Sequence, residues 1–241
     1  MSSFLCVHNL SAFYSTRPYG IFGKKNIHHV LSNINLEIEQ GEIFGLVGES
    51  GSGKSTLAKC ILGLQEYQGE VILNGRKRGK KPSYSERRQN AFEVQPVFQD
   101  ASSSLNPART IGWILEEPLR GNSLFRVNGR RLYPKERQAK VDAALDMVGL
   151  NSSYKNRKPD ELSSGQKQRV AIGAAVIFNP GLIIADEPVS SLDVSVGAQI
   201  LNLFRELNRK LNLTMIFISH NTGQVEYLCD RIALMKDGVI S

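Results

Sequence analysis

The sequence has no long apolar run. Its best uninterrupted stretch, Ala171–Phe178, falls far short of the ~18 residues that a membrane-crossing helix requires. The opening stretch MSSFLCVHNL has neither a basic leader region nor a long apolar segment, so it does not read as a secretory signal. The chain is therefore expected to stay in the cytosol and to meet a membrane only through a partner. Cysteine is scarce too. Cys6, Cys60 and Cys229 are odd in number and widely spaced, with no zinc or iron–sulfur spacing, so reduced thiols in a reducing compartment are expected. Internal repeats, low-complexity tracts and heptad arrays are missing, which excludes solenoids and long coiled coils.

What is present is a chain of 241 residues, 41% of them hydrophobic, enough for one large domain or two small lobes around one core. The net charge is +7, with basic clusters at Arg76–Lys81 and Arg126–Arg131. Such clusters can serve nucleic acid or acidic lipid, yet solvated loops account for them without any dedicated site. No specific nucleic-acid partner is expected.

Three short apolar runs, Ile43–Val47, Leu182–Ala185 and Met215–Ser219, are bounded by Gly or polar residues. Runs of this length read as strands buried on both faces of a parallel sheet. Helical patterns lie elsewhere. Pro134 to Val148 starts with a first-turn proline, carries Val141, Ala144, Leu145 and Val148 on one face, and stops at Gly149. Val196 to Leu211 aligns Ile200, Leu203, Phe204, Leu207 and Leu211. Phe4, Cys6 and His8, then Ile34, Leu36 and Ile38, alternate as antiparallel strands do. The stretch Ala101–Glu161 shows no buried-strand run and reads as loops and helices. Together these patterns predict an α/β fold with helices on both faces of a mainly parallel sheet.

What ends each strand points to chemistry. The first run leads into Gly48, the second into Asp186–Glu187, the third into His220. Open α/β sheets bind ligands beyond the carboxyl ends of their strands. Gly48-Glu49-Ser50-Gly51-Ser52-Gly53-Lys54-Ser55 fits G-x-x-x-x-G-K-[ST], and Thr56 follows. It lies after a strand and before a helix beginning near Lys54, the context this phosphate-binding motif needs. Glycines let the backbone curl so that successive N–H groups face phosphate oxygens, and the helix N-terminus adds partial positive charge. Lys54 supplies a full charge to the β- and γ-phosphates, and Ser55 offers a hydroxyl to Mg²⁺. At the second strand end, adjacent residues on an extended chain face opposite ways. Asp186 is thus expected in the Mg²⁺ shell and Glu187 toward an attacking water. Pro188 biases Glu187 toward an extended conformation.

The phosphate loop, Gln99, Leu162-Ser163-Ser164-Gly165-Gln166, the acidic pair, Ser191-Leu192-Asp193 and His220 occur in an order that resembles the nucleotide-binding domains of ABC transporters. The resemblance covers essentially the whole chain. It implies a P-loop NTPase of RecA-like α/β architecture: a mainly parallel sheet core, an N-terminal antiparallel β subdomain and an inserted α-helical lobe. The expected division is one ABC ATPase domain over 1–241, with 1–100 and 166–241 forming the core and 101–165 the helical lobe. The resemblance further implies ATP and Mg²⁺ as ligands, and a head-to-tail dimer with a like or unlike second ATPase subunit. In such a dimer each ATP lies between one phosphate loop and the partner's signature. A second anion site at Ser163 and Gly165, preceding a helix to about Phe178, agrees with this.

By resemblance, Tyr14 stacks on adenine, Gln99 is the hinge glutamine near Mg²⁺ and the permease docking site, Asp193 lies in the loop crossing the dimer interface, and His220 contacts the γ-phosphate. Val97-Phe98-Gln99-Asp100, Ser103-Ser104-Leu105-Asn106-Pro107 and Val47-Gly48-Glu49-Ser50-Gly51 resemble the oligopeptide, dipeptide and nickel importer subgroup. That implies permease subunits and an extracytoplasmic solute-binding protein as partners, and a place on the cytoplasmic face of the membrane. Three departures carry expectations. Ser164 replaces a glycine of the signature, and serine tolerates left-handed backbone less well. Ala174 replaces a common arginine, removing an ion pair. Lys236-Asp237-Gly238 reads as a hairpin turn soon before Ser241, where relatives continue, so a longer natural chain is expected. An accessory ATPase of a soluble enzyme complex, as in carbon–phosphorus lyase assemblies, remains the alternative to transport.

Overall fold

The computed structural model describes residues 3–16, 26–79, 83–99, 104–121 and 131–241. In chain order the elements are strands β1 (Ser3–Thr16), β2 (Asn26–Glu39) and β3 (Ile43–Val47), helix α1 (Lys54–Leu62), strands β4 (Gln68–Leu73) and β5 (Arg76–Lys77), helix α2 (Tyr84–Glu93), strand β6 (Val94–Val97), then helices α3 (Ile111–Gly121), α4 (Pro134–Met147) and α5 (Ser164–Val176). Strand β7 (Leu182–Asp186), helix α6 (Val194–Leu211), strand β8 (Thr214–Ser219), helix α7 (Thr222–Leu228) and the hairpin β9 (Arg231–Lys236) and β10 (Val239–Ile240) complete the chain.

Two sheets result. One is antiparallel in the order β2-β1-β4-β5; the other runs β10-β9-β3-β8-β7-β6 and is parallel except for the β9–β10 hairpin. The three apolar runs pair side by side as β3, β8 and β7, and alternate residues enter separate clusters. Ile43, Val47, Ile183, Ala185, Met215 and Phe217 face the helices α3 to α6. Phe44, Leu46, Leu182, Ile184, Ile216 and Ile218 face α1 and the antiparallel sheet. Both faces of the central strands are thus dry, which is why their sequences do not alternate.

The N-terminal strands are antiparallel as their patterning predicts, but the core face of β1 differs. Leu5, Val7, Leu10 and Ala12 are fully buried, while Cys6 and His8 are half-buried. A register shift between Val7 and Leu10, with Asn9 at φ 49, reverses the alternation midway. One extra residue on one strand is what a bulge inserts, and a reading by strict alternation cannot see it. In β2 the expected Ile34, Leu36 and Ile38 are buried.

The helical part packs on the sheet through one continuous cluster, in which Ile111, Leu115, Val141, Leu145 and Val170 join Ile43 and Ile183. The expected boundary between 165 and 166 falls inside α5, and that after 100 lies outside the described residues. Among the described residues no helix is long and apolar enough to cross a membrane. The three cysteines are unpaired, and burial pushes the Cys60 and Cys229 thiols up to about 12. In the basic cluster at 76–81, Arg76 and Lys77 pair with Glu93 and Glu70. Arg78 is buried against Ile61 and Glu93 rather than solvated. Residues 80–81, and 126–130 of the other cluster, lie outside the described residues.

Glu116 ties α3 to α4. Only 3% exposed, its carboxylate accepts from Arg120 at 2.6 Å, Arg137 at 2.8 Å and Gln138 at 2.8 Å. The Arg120 bond, then Arg137, hold the carboxyl below its ordinary 4.5 against the opposing effect of burial. A depressed folded value means stability that is present above the unfolded value and lost as pH falls through the folded one. Glu116→Gln is expected to cost about 1–3 kcal/mol at pH 7. In urea unfolding, the gap to wild type should close as pH drops below 4.5.

Candidate active site

The loop from Gly48 to Gly53 leaves β3 and feeds α1, whose N-terminus begins at Lys54 as the motif predicts. Gly53 sits at φ 109, and a Cβ there would come 2.8 Å from Leu31 Cδ2. A side chain would therefore meet both strain and a clash. Lys54 is 6% exposed. Its ammonium donates to the carbonyls of Gly48 and Glu49, both at 2.7 Å, and to Ser52 Oγ at 3.3 Å. A cation buried inside a curl of backbone, at a helix N-terminus, makes an anion cradle.

The acidic strand end is placed differently from expectation. Glu187 is not extended: it sits at φ 50. Its N–H donates to Ile218 O at 2.9 Å, extending the β7–β8 ladder by one residue. Its carbonyl then accepts from Ser190 N at 3.3 Å and Ser190 Oγ at 3.0 Å, closing a turn. Left-handed backbone at a non-glycine residue costs on the order of 1–3 kcal/mol and persists only where surrounding bonds fix it. The consequence is that Asp186 and Glu187 do not face opposite ways. Both border one cavity of about 850 Å³ at the mouth of the loop, together with Ser50, Ser55, Gln99 and His220. Burial pushes the Asp186 carboxyl up, partly offset by a hydrogen bond from Ser55. The Glu187 carboxylate lies 3.0 Å from His220 Nδ1.

The other candidates sit outside this cavity. Tyr14 is exposed and pairs across the strands with His28. Two residues further along β2, the Val30 carbonyl would lie 3.1 Å from a Cβ on Gly53, so Tyr14 stands on the hairpin that passes over the loop. In the signature, Leu162 is buried and Ser163 caps α5 reciprocally with Gln166, at 3.3 and 3.1 Å. Gln166 also donates to Tyr154. Two expectations change here. Ser164 is helical and exposed rather than left-handed, so no backbone strain follows from the serine. Gly165 lies within the helix, and is required because a Cβ would come 2.4 Å from Val196 Cγ1 on α6.

In the following loop, Ser191 Oγ donates to Gln99 O at 3.4 Å, and Leu192 packs against the helical-side core. Asp193 caps α6 through Val196 N and Ser195 Oγ, bonds that hold its carboxyl low. Asp100 and Ser103 lie outside the described residues. Ser190 escaped the sequence reading. Its signal is the i+3 spacing from Glu187, typical of a serine that closes a turn.

A family model described as ABC transporter matches residues 31–190. The chain belongs to the ABC transporter family. This ABC chain is 42% identical over 221 residues to a dipeptide transport ATP-binding protein, DppF, of Lactococcus lactis subsp. cremoris, covering 90% of the chain and 69% of the relative. It is 40% identical over 242 residues to an oligopeptide transport ATP-binding protein, OppF, of Lactococcus lactis subsp. lactis, covering 100% and 73%. Among solved structures, it resembles a dimeric ATP-binding cassette in a post-hydrolysis state bound to ADP and Pi. The TM-score is 0.81 at 31% identity, over 98% of this chain and 96% of that one. As an ABC ATPase the chain binds and hydrolyses ATP.

A carboxyl whose folded value is raised weakens the fold at neutral pH, and the penalty fades as pH falls through that raised value. Asp186→Asn is therefore expected to raise the thermal midpoint of the nucleotide-free ABC chain at pH 7.5, with the gap narrowing as pH falls through the raised value. Hydrolysis should fall by about 10²-fold or more, as for loss of one charge-stabilising group, in a phosphate-release assay.

Proposed function

We propose that this ABC chain powers peptide import as the ATP-hydrolysing subunit of a membrane transporter. The observation that carries this is the single cavity where the phosphate loop, Ser55, Gln99, Asp186, Glu187 and His220 converge. Gly48, Glu49, Ser50, Gly51, Ser52, Gly53 and Thr56 cradle phosphate with Lys54, and Tyr14 stacks on the base. Ser55, Gln99 and Asp186 are the metal-binding set. Among the described residues no group of three or more His, Cys, Asp or Glu side chains could hold a metal. A hydroxyl, a carboxamide and one carboxylate instead suit Mg²⁺, which keeps waters and takes phosphate oxygens. When bound, the metal ion neutralises charge on the β- and γ-phosphates. Glu187 accepts the proton of the attacking water, and His220 orients Glu187 and contacts the γ-phosphate.

The signature, Leu162 to Gln166, does not border its own chain's cavity. This supports its use by a second ATPase subunit, like or unlike, with Ser191, Leu192 and Asp193 crossing the interface. We read 101–165 as the lobe that carries the signature. A groove of about 630 Å³ beside Gln99, with Phe92, Phe98, Ile114, Ala174 and Phe178 in its wall, suits an apolar helix of the permease. Ala174, where the resemblance has an arginine, is one of the small residues lining that groove. A solute-binding protein completes the assembly, and the subunit works on the cytoplasmic face of the membrane. The relatives named above are transport subunits, so no observation favours an accessory role in a soluble complex.

Glu187→Gln is expected to bind ATP, to hydrolyse it at least about 10²-fold more slowly, and to accumulate as an ATP-closed dimer on size-exclusion chromatography. Normal turnover in that variant would remove Glu187 from its role. Recovery of soluble metabolic enzymes instead of a permease, after gentle membrane solubilisation, would overturn the transport assignment.

A further inference from the structure

We infer that the turn between β9 and β10 is a positioning element of the phosphate loop, acting through the Gly238 peptide. The inference rests on the reading of Gly48–Ser55 as the phosphate cradle. The Gly238 N–H donates to Ser52 O at 3.0 Å, and its own carbonyl accepts from Ser32 N at 2.9 Å. One residue, through its two flanking peptide groups, therefore stitches the loop to β2. The contact is close on every side. A Cβ on Gly238 would lie 2.2 Å from Val30 O, and one on Gly48 would lie 2.2 Å from Met235 O. Gly238 has φ 76 and Asp237 φ 48, left-handed positions at which a Cβ on Gly238 would add strain to the clash. Met235 is 1% exposed, and its sulfur lies 3.5 Å from where a Gly53 Cβ would stand.

Ser52 is the pivot of this arrangement. Its N–H is engaged by Glu49 O at 3.2 Å and its hydroxyl accepts from Lys54. The hydrogen bond from Gly238 holds the remaining polar group, the carbonyl. Fixing that carbonyl fixes the tilt of the Ser52–Gly53 peptide, and with it the direction of an amide that faces the ligand. Nothing in the turn approaches the acidic strand end or His220 among the contacts described, so the turn acts on binding and not on the chemical step.

Gly238→Ala forces the peptide away from Val30 and breaks the bond to Ser52. The affinity for fluorescent mant-ATP is expected to fall by about tenfold, as for loss of one hydrogen bond with added strain. The KM for ATP should rise in parallel, while kcat at saturating ATP changes less than about twofold, because Glu187 and His220 are untouched. Asp237→Asn, which tolerates left-handed backbone, should behave as wild type. Should Gly238→Ala not fold, the wild-type protein supplies the test. Hydrogen exchange at the Gly238 amide should slow when ATP binds, although that amide touches no nucleotide.

Unchanged mant-ATP affinity in folded Gly238→Ala, or Gly238 exchange indifferent to ATP, overturns the inference. A loss of kcat equal to the rise in KM also overturns it, in favour of a general structural role. Lys54→Ala run alongside separates the two levels. If it too binds mant-ATP normally, the phosphate-loop reading fails and takes the inference with it. If it loses binding while Gly238→Ala does not, only the inference fails.

Discussion

The structure turns on one buried cation. Lys54 lies inside a curl of its own chain, and its ammonium is satisfied by two carbonyls and a hydroxyl of that curl. A buried charge without such partners would cost several kcal/mol, so the loop and the lysine define each other. The rest of the core supports this arrangement. A strand dry on both faces brings the chain to Gly48, and a helix begins where the curl ends. The β2 and β9–β10 segments close on the loop from outside, with contacts that leave no room for a Cβ at Gly48 or Gly53.

A second constraint lies at the end of β7. The chain must leave the sheet while still pairing Glu187 N–H with Ile218 O. A left-handed residue does this in one step, and Ser190 locks the result. The strain is local, and its effect is to turn two successive carboxylates toward one space. Asp186 then meets Ser55 at the loop, and Glu187 meets His220 at the end of the neighbouring strand. The two acids differ in surroundings although they are adjacent: one is desolvated and pushed up, the other is held beside an imidazole. That difference is what separates a metal-shell role from a water-orienting role in the proposed reaction.

The division between cavity and signature has a similar physical basis. The signature opens α5, and Gly165 lets that helix approach α6 at Val196. The capping residues Ser163 and Asp193 therefore begin neighbouring helices, and neither borders the cavity that Ser50 and Ser55 share with the acidic pair. In the proposed function the signature serves the nucleotide of a second chain, and the solved cassette that this fold resembles is a dimer.

Much of this was legible in the sequence. The three dry strands, the helices read from Pro134 and from Val196, and the phosphate loop follow from apolar run length, 3.6-residue spacing and glycine placement, all of which are local; the second helix begins two residues earlier, at Val194. The family order of motifs named the candidate residues. Other features were not legible. The inner face of β1 depends on a bulge at Asn9, the conformation of Glu187 on a ladder bond to β8, and the need for Gly165 on a valine of another helix. The service of Gly238 to Ser52 depends on the β9–β10 turn meeting the phosphate loop. Sequence by itself determined which elements form and which chemistry they carry, because those rest on neighbours along the chain. Tertiary structure alone decided which way the site's groups face, because contacts between distant segments select one backbone conformation among those each residue allows.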